Sequence, residues 1–461
     1  MENNIDVKRQ KARKLFGLGD FGFPSMTNVE SQFWTFFMTD VAMVPLGLMA
    51  MIQTVTGFIE MVMSPLYGVI LSATKAGKFG RYSTWMIICP PLIVGLYLFQ
   101  WFALSDSGTV NGLIIAVGYT LSHLLWNAIW VANVSLLPVL ATNAEERVKL
   151  SSKRFAFNYA ARFCAAFYLV PLLTFFTDTI GLKLAYGALA LFTGLMMMAG
   201  YVTVGKAASK VETALDEAAP APVGKRKIWG PMLKALIGNP HLIALIVVDA
   251  ARNVGSFVIG SFNMYYFNYC VGSMDFYSTN MLIGYLCGFS GAYISRFAVK
   301  YVTNRIACII TALGTATVLA CIMFFAPNSL VIYIVCYAIY QALTAAFQAL
   351  LVPLYSECCT FAQWKTGADN SGVIMGMQQF GVKLGAIFKG VAISTSLAAA
   401  GYVAGMDPTP ALKAGICRGY FMFPGTAFII GALALIFFYK LTPKGVEDMQ
   451  KEIESRKSDA E

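Results

Sequence analysis

Long apolar stretches repeat along nearly the whole of this 461-residue chain, and that repetition restricts its possible folds more than any other feature. Each stretch reaches about 20 residues, the length that a helix needs to cross the hydrocarbon core of a bilayer. Hydrophobic residues make up 57% of the chain and charged residues only 13%, a balance that a water-soluble protein of this length could hardly tolerate. The sequence therefore predicts an all-α membrane protein whose helices span the bilayer many times.

Twelve spanning helices are predicted, in two groups of six. The first group covers residues 15–39, 46–73, 83–104, 110–140, 155–177 and 182–204, and the second covers 238–269, 277–298, 304–325, 329–356, 371–400 and 415–440. Residues 205–237 between the groups are charged and rich in alanine and proline, which predicts a flexible cytoplasmic linker. The predicted domains are an N-terminal tail (1–14), a six-helix bundle (15–204), this linker, a second six-helix bundle (238–440) and a C-terminal tail (441–461).

Basic residues gather on alternate connections between the predicted helices. Lys78 and Arg81 follow the second helix and Arg147 follows the fourth, whereas the opposite connection around Asp106 is short and acidic. Because connections rich in lysine and arginine stay in the cytoplasm, this pattern places both termini on the cytoplasmic side of an inner (cytoplasmic) membrane. The net charge of +10 is explained by this orientation, so no nucleic-acid partner is expected.

Two six-helix bundles joined by a linker are typical of a transporter, because rocking one bundle against the other exposes a central site to each side in turn. A membrane enzyme needs a catalytic constellation, and the chain's two histidines, His123 and His241, suggest none. The ten cysteines lack metal-ligand spacing apart from the adjacent Cys358 and Cys359, so they are interpreted as small buried hydrophobes. No catalytic residue and no cofactor is expected, and the only ions expected are H⁺ or Na⁺ as a coupling ion.

Five ordered motifs narrow the class. They are Gly17-Leu18-Gly19-Asp20-Phe21-Gly22, Thr39-Asp40-Val41, Glu60 with Pro65-Leu66-Tyr67-Gly68, the segment from Glu146 to Arg154, and Gln363-Trp364-Lys365-Thr366-Gly367 followed by Lys383-Leu384-Gly385. Over nearly the whole chain they resemble motifs of the glycoside–pentoside–hexuronide:cation symporters, the melibiose permease group of the major facilitator superfamily. The resemblance implies the major facilitator fold and secondary active transport of a glycoside, uronide or related small organic molecule by alternating access, coupled to H⁺ or Na⁺.

Glu60 is the leading candidate for ion coupling. It lies in the middle of the second predicted helix, with no lysine or arginine three or four residues away, and an ionisable side chain at membrane depth is costly enough to be a functional candidate. The resemblance places Glu60 at the first acidic position of the family's cation site and Lys383 at the basic position beside it. Ser64 stands at the second acidic position, and Asn127 completes the predicted set. Because Na⁺ prefers several oxygen ligands, H⁺ coupling, Na⁺ coupling and no coupling all stay open.

Substrate contacts are predicted from the first, fourth, fifth, seventh, tenth and eleventh helices. They are Asp20, Phe23, Trp130, Arg154, Arg252, Asn263, Tyr266, Gln348 and Gln379. Trp130 can stack on a sugar ring, and the two glutamines can pair with hydroxyl groups. The resemblance places Arg154 at the basic position that starts the fifth helix.

Cations at membrane depth favour an anionic substrate. Arg162 follows Arg154 in the fifth helix, and Lys389 follows Lys383 in the eleventh. Arg252 adds a further cation, although Asp249 three residues before it can neutralise it on one helical face. Snorkelling toward lipid headgroups is the alternative explanation for some of these cations.

A cytoplasmic gate is predicted from basic and polar residues at helix ends, namely Lys78, Arg81, Arg147, Gln363 and Lys365. The expected partners are the small-molecule substrate and membrane lipids, and the chain is expected to act as a monomer. Two alternatives stay open. One is a facilitator or uniporter for an amphipathic molecule such as a steroid or lysolipid, and the other is a membrane sensor that binds a ligand without transporting it.

Overall fold

Helices account for almost the entire computed structural model, which describes residues 2–74, 77–216, 238–367, 374–375 and 377–458. Ten helical segments within these described residues are long and apolar enough to cross a membrane. The predicted all-α, multi-pass architecture is therefore confirmed.

The residues form two compact units, each held together by its own internal contacts. The first unit comprises Met1–Ile52 and Ile59–Arg226, and the second comprises Gln53–Phe58 and Lys227–Glu461. The helices before the segment 217–237 are α1 (Glu2–Leu15), α2 (Gly17–Val29), α3 (Leu46–Ala73), α4 (Tyr82–Phe99), α5 (Gly108–Ser135), α6 (Leu137–Leu140), α7 (Ala144–Ile180) and α8 (Leu182–Asp216). Those after it are α9 (Pro240–Tyr265), α10 (Asp275–Ala298), α11 (Asn304–Phe325), α12 (Leu330–Thr366), α13 (Gln378–Ala399), α14 (Pro410–Tyr420), α15 (Thr426–Phe437) and α16 (Pro443–Ser458).

Helix boundaries differ from the predicted ones mainly where the sequence is polar. Helix α3 covers the predicted 46–73, whereas the two predicted tails contain the helices α1 and α16. Helix α8 continues past residue 204 to Asp216, so the first part of the predicted linker is helical. The rest of that linker, residues 217–237, and the first residues of the predicted helix 371–400 lie outside the described residues.

Several helices begin at a residue whose side-chain oxygen accepts a backbone N–H three residues later. The caps are Asn143 for α7, Asn239 for α9, Thr303 for α11, Ser329 for α12 and Thr409 for α14. Such caps satisfy N–H groups that have no partner within the helix. They explain why these helices start where they do.

Wider π-helical turns occur at three places in the helical segments. They are Glu30–Trp34 and Phe37–Val41 after α2, Tyr266–Val271 after α9, and Phe421–Gly425 between α14 and α15. A π-turn holds one more residue than an α-turn, so it rotates the side chains that follow, and such turns are frequent at functional sites. The first of these segments begins at the buried Glu30.

Glycines allow α2 to lie directly against α8. A Cβ atom at Gly22 would come within 2.6 Å of the Met196 carbonyl oxygen, and one at Gly200 within 2.4 Å of the Leu18 carbonyl oxygen. Small residues permit such close approach of membrane helices. This packing fixes α2, the helix that leads to Glu30.

Candidate functional site

A buried histidine lies between two carboxylates in the first unit. His123 on α5 hydrogen-bonds through Nδ1 to Glu60 Oε1 at 2.9 Å, and through Nε2 to both carboxylate oxygens of Glu30 at 3.1 Å. Glu60 lies on α3 and Glu30 opens the π-helical segment after α2, so three helical segments contribute one group each. The exposed fractions are 6% for His123, 4% for Glu60 and 8% for Glu30, which means that this carboxylate–histidine cluster is shielded from solvent.

Two amide side chains hold the carboxylates of this cluster. Asn127 donates from Nδ2 to Glu60 Oε1 at 2.5 Å and to the backbone carbonyl oxygen of His123 at 2.8 Å. Gln100, which directly follows α4, is fully buried and donates from Nε2 to Glu30 Oε2 at 3.2 Å. Hydrogen bonds to an ionised acceptor are stronger than those between neutral groups. Both glutamates therefore have a donor that supports their charged form.

Aromatic rings flank the imidazole. The His123 ring centroid lies 4.0 Å from that of Tyr119 and 3.9 Å from that of Trp126. Trp34 stacks on Tyr119 at 4.0 Å with an interplanar angle of 12°. These rings restrict the orientation of the imidazole and keep water away from the cluster.

The geometry of the carboxylate–histidine cluster is suited to proton exchange. With both carboxylates ionised, each ring nitrogen of His123 must carry a hydrogen to donate, so the imidazole is protonated and the cluster holds one net negative charge. One further proton neutralises it. A metal cation such as Na⁺ prefers several oxygen ligands, but here the carboxylate oxygens accept hydrogen bonds from nitrogen donors, and an imidazolium repels a cation.

Among the predicted coupling residues, Glu60 and Asn127 are in direct contact. Ser64 is half-buried one turn further along α3. Lys383 is half-buried on α13 in the second unit. The coupling roles of Ser64 and Lys383 stay predictions.

The sequence does not predict three members of the site, Glu30, Gln100 and His123. Two histidines in a long chain form no spacing motif, and Glu30 lies in a polar stretch at the end of an apolar helix. Charge could have identified Glu30 and His123, because any ionisable side chain at membrane depth is a functional candidate. Applied to His123 and Glu30 as well as Glu60, that rule identifies the three groups, although it does not predict their contact.

A second ion pair, formed by a buried aspartate and a half-buried arginine, joins two predicted substrate residues. Arg154 on α7 donates from Nε to Oδ2 and from Nη2 to Oδ1 of Asp20 on α2, both at 2.8 Å. Asn133 on α5 donates to Asp20 Oδ2 at 3.1 Å. A bidentate pair of this kind orients both groups and neutralises their charges. Asp20 and Arg154 thus form one polar group, whose contact with substrate stays a prediction.

Aromatic residues lie between this ion pair and the carboxylate–histidine cluster. Phe23 packs edge-on against Trp126 and Tyr201, with ring centroids 5.9 and 6.0 Å apart. Trp126 in turn contacts the His123 ring. Trp130, half-buried, follows Trp126 by one turn of α5. The predicted substrate residue Phe23 is therefore linked to the cluster through Trp126, and Trp130 lies one helical turn from that tryptophan.

Arg252, predicted as a substrate contact in the second unit, is buried in an ion pair. Its Nε donates to Asp249 Oδ1 at 3.1 Å, and its Nη2 lies 3.0 Å from the same oxygen and donates to Asn253 Oδ1 at 3.0 Å. The neutralisation that the three-residue spacing allows is present. Arg252 is consequently not an unpaired cation.

Asn263 on α9 hydrogen-bonds to tyrosines on α12 and α14. Its Oδ1 accepts hydrogen bonds from the hydroxyls of Tyr333 at 2.8 Å and Tyr420 at 3.1 Å, and its Nδ2 donates to the hydroxyl of Tyr337 at 3.0 Å. These groups are buried. The network gives Asn263 partners within the protein, and its predicted substrate contact stays untested.

Tyr266, Gln348 and Gln379 complete the predicted substrate set. The Tyr266 hydroxyl donates to the Ala326 carbonyl oxygen at 3.0 Å, and its ring lines a cavity of about 510 Å³ whose wall also contains Lys413. Gln348 on α12 and Gln379 on α13 are exposed. Their roles stay predictions.

The N-terminal helix α1 is attached to the connection that carries the predicted gate residue Arg147. Arg13 donates from both terminal nitrogens to the Glu146 carboxylate at 2.5 Å, and from Nε to the Leu140 carbonyl oxygen at 2.7 Å. Hydrogen bonds from Thr142, together with the Arg13 guanidinium, lower the pKa of Glu146 below its ordinary value. Arg147 itself is exposed.

The predicted gate residues Lys78 and Arg81 lie at the start of α4. Lys78 is exposed, and the backbone N–H groups of Arg81, Tyr82 and Ser83 donate to the carboxylate of Glu212 at 2.9, 2.6 and 2.9 Å. A carboxylate at a helix N-terminus satisfies N–H groups that lack partners and favours the helix dipole. Glu212 therefore connects the C-terminal end of α8 to the start of α4.

The predicted gate residues of the second unit lie at the end of α12. Lys365 Nζ donates to the Gly238 carbonyl oxygen at 2.9 Å, and Gln363 is half-buried. Between them, Trp364 donates from Nε1 to Glu452 Oε2 on α16 at 2.7 Å. The motif thus anchors the C-terminal helix, and its role in a gate stays a prediction.

The chain is similar in sequence and in fold to known transport proteins. Residues 15–443 match the family described as MFS/sugar transport protein. Over 459 residues the chain is 24% identical to the uncharacterized symporter YnaJ of Bacillus subtilis (strain 168), covering 96% of this chain and 94% of that protein. It is 23% identical over 464 residues to the putative sulfoquinovose importer of Escherichia coli (strain K12), covering 99% and 96%. A solved bacterial homologue of the iron transporter ferroportin, in an inward-facing state, has a TM-score of 0.67 at 11% identity, covering 94% and 99%, which concerns the fold alone.

Proposed function

The chain belongs to the MFS/sugar transport protein family, and from that premise we propose that it is a proton-coupled symporter of a glycoside or a related small organic molecule. It is a multi-pass membrane protein and a secondary transporter for small organic substrates. The observation that carries the proton assignment is the buried His123 held between Glu30 and Glu60.

Proton binding to the carboxylate–histidine cluster supplies the coupling step. A proton that enters the cluster cancels its net negative charge at membrane depth, where an uncompensated charge is costly. Coupling requires that the proton and the substrate each favour the same conformation of the protein. In this proposal Glu30, His123 and Glu60 share the proton, while Asn127 and Gln100 position the two carboxylates.

Substrate recognition is assigned to the neighbouring polar and aromatic groups. The Asp20–Arg154 pair offers both acceptors and donors for hydroxyl groups, and Trp130 offers an aromatic face for a sugar ring. The similarity to a putative sulfoquinovose importer supports a sugar-like substrate. Trp126 contacts both Phe23 and His123, so substrate bound there would lie near the proton site.

Orientation and assembly follow from the charge pattern. We propose that the protein lies in the cytoplasmic membrane with both termini in the cytoplasm, because lysine and arginine concentrate on the tails and on alternate connections. A single chain carries both groups of spanning helices, which supports function as a monomer.

Uptake into proteoliposomes tests proton coupling. The full-length protein is reconstituted in Na⁺-free potassium buffer, and a panel of labelled glycosides is added under an inward proton gradient of one pH unit. If one proton accompanies each neutral molecule, this gradient supports at most about tenfold accumulation. A protonophore should abolish accumulation, and added Na⁺ should not change it.

Variants separate coupling from binding. Glu60→Gln and His123→Gln should lose gradient-driven accumulation while retaining exchange of labelled for unlabelled substrate. His241→Gln, which alters the chain's other histidine in the second unit, is the matched control and should behave as wild type. Accumulation that depends on Na⁺, or that persists in His123→Gln, contradicts proton coupling at this cluster.

A further inference from the structure

Arg162 differs from the other arginines that lie deep in the spanning segments. It is half-buried on α7, whose candidate span covers Lys149–Ile180. At 1.5 Å per residue it lies roughly 20 Å from one end of that span and roughly 27 Å from the other, close to the middle of the span. Arg154 and Arg252 have carboxylate partners in Asp20 and Asp249.

The partners of Arg162 are neutral. Its Nε donates to Asn158 Oδ1 at 3.0 Å and its Nη1 donates to Asn28 Oδ1 at 3.4 Å. Among the residues that the structure describes, no salt bridge involves Arg162. A guanidinium has five N–H donors, so these two bonds leave donors available to a ligand.

The charge of Arg162 at this position favours a ligand of opposite charge. A guanidinium at membrane depth is costly, and such residues mark substrate or ion pathways when they do not pair with an acid of the protein. Amide oxygens orient the guanidinium but do not cancel its charge. A carboxylate or sulfonate on a bound molecule would do so through two parallel hydrogen bonds.

Through its bond to Asn28, Arg162 is also linked to the end of α2, next to Glu30 of the carboxylate–histidine cluster. Its partner Asn28 lies two residues before Glu30, at the end of α2. The anion held by Arg162 and the proton held by Glu30 and His123 would therefore bind to groups linked through Asn28 and Glu30, two residues apart at the end of α2. Binding of both together adds no net charge to this region.

We propose that Arg162 binds an anionic group, a carboxylate or a sulfonate, carried by a sugar-like transported molecule. This inference rests on the proposed transport function and adds a subsite separate from the Asp20–Arg154 pair. Asn28 and Asn158 act as positioning residues that aim the guanidinium.

Calorimetric titration of the purified full-length protein with matched pairs tests this subsite. The probes are methyl glucoside with methyl glucuronide, methyl galactoside with methyl galacturonide, and methyl glucoside with its 6-sulfonate analogue. In at least one pair the acidic member should bind about 30-fold or more tightly than its neutral partner, the range for a desolvated charge pair. Equal affinities in every pair, or no binding of any acidic member, overturn the proposal.

Substitutions at Arg162 test the residue itself. Arg162→Gln should abolish the preference for the acidic member and change the affinity for the neutral member less than about threefold, since only the anion contact is lost. Arg162→Lys keeps the charge and should retain part of the preference. Arg418→Gln, which removes an exposed arginine on α14, should keep all of it. A preference that survives in Arg162→Gln overturns the proposal, and the Lys variant keeps this test valid if the Gln variant is unstable.

Transport measurements distinguish the two proposals. If wild-type proteoliposomes accumulate neutral glycosides without any acidic preference, the anion subsite is wrong and the transport function stands. If acidic compounds bind preferentially through Arg162 but no compound crosses the membrane, the subsite stands and proton-coupled transport is wrong.

Discussion

Replacing His123 with glutamine removes the group that joins Glu30 to Glu60. The imidazole contacts the two carboxylates at 3.1 and 2.9 Å, and all three residues are buried. Without it, two carboxylates share a buried region and each keeps one amide donor, from Gln100 and Asn127. Removing one partner of a buried ion pair costs about 3–5 kcal/mol because the remaining charge is uncompensated. We therefore expect His123→Gln to lose about that much stability.

A compensating variant separates loss of charge balance from loss of packing. In the triple variant Glu30→Gln/His123→Gln/Glu60→Gln no carboxylate remains in the cluster, so we expect more than half of the lost stability to return. Thermal unfolding of the detergent-solubilised protein, followed by intrinsic fluorescence, measures both effects. His241→Gln is the control for loss of a histidine. A His123→Gln midpoint equal to wild type, or a triple variant no more stable than the single one, would refute the reasoning.

Substitutions at three other contacts should each change stability in a separate, measurable way. Glu212→Ala removes the acceptor for three backbone N–H groups at the start of α4 and should cost about 1–2 kcal/mol, the range for a helix cap; an unchanged thermal midpoint contradicts the cap. Asp20→Asn leaves Arg154 without its carboxylate and should cost about 3–5 kcal/mol. The double variant Asp20→Asn/Arg154→Gln should recover most of that loss, whereas additive losses would show that the pair is not coupled. Hydrogen bonds from Thr142 lower the pKa of Glu146 below its ordinary 4.5, so this contact stabilises the attached α1 above that pH and weakens as pH falls through the lowered value. Amide hydrogen exchange in α1 of the wild type should be slow at neutral pH and become faster only in strong acid. In Glu146→Gln, α1 should exchange rapidly at every pH. Identical pH profiles for the two proteins contradict the contact.

The spanning helices could be predicted because lipid imposes their length and requires their backbone hydrogen bonds to be internal. Helix α3 illustrates this, since the apolar run 46–73 and the helix coincide. The helical part of the predicted linker could not be found in this way. Its stability comes from a tertiary contact, the capping of α4 by Glu212, which a polar local sequence does not reveal.

The sequence predicts only some residues of the candidate site, and it predicts them separately rather than as an assembly. Glu60 stands out as a carboxylate in an apolar helix, and Asp20 and Arg154 stand out through the family resemblance. His123 is separated from Glu60 by 63 positions and from Glu30 by 93. Their contact depends on the rotation of each helix about its axis, and for Glu30 on a π-helical turn, neither of which local sequence patterns determine.

Simultaneous measurement of substrate uptake and internal pH in proteoliposomes tests proton coupling most directly. In Na⁺-free buffer, wild-type protein should acidify the interior by about one proton for each molecule that enters, as expected when proton and substrate favour the same conformation. His123→Gln should exchange substrate without moving protons. Substrate entry with no change of internal pH in the wild type, or an unchanged proton count in His123→Gln, would contradict the account.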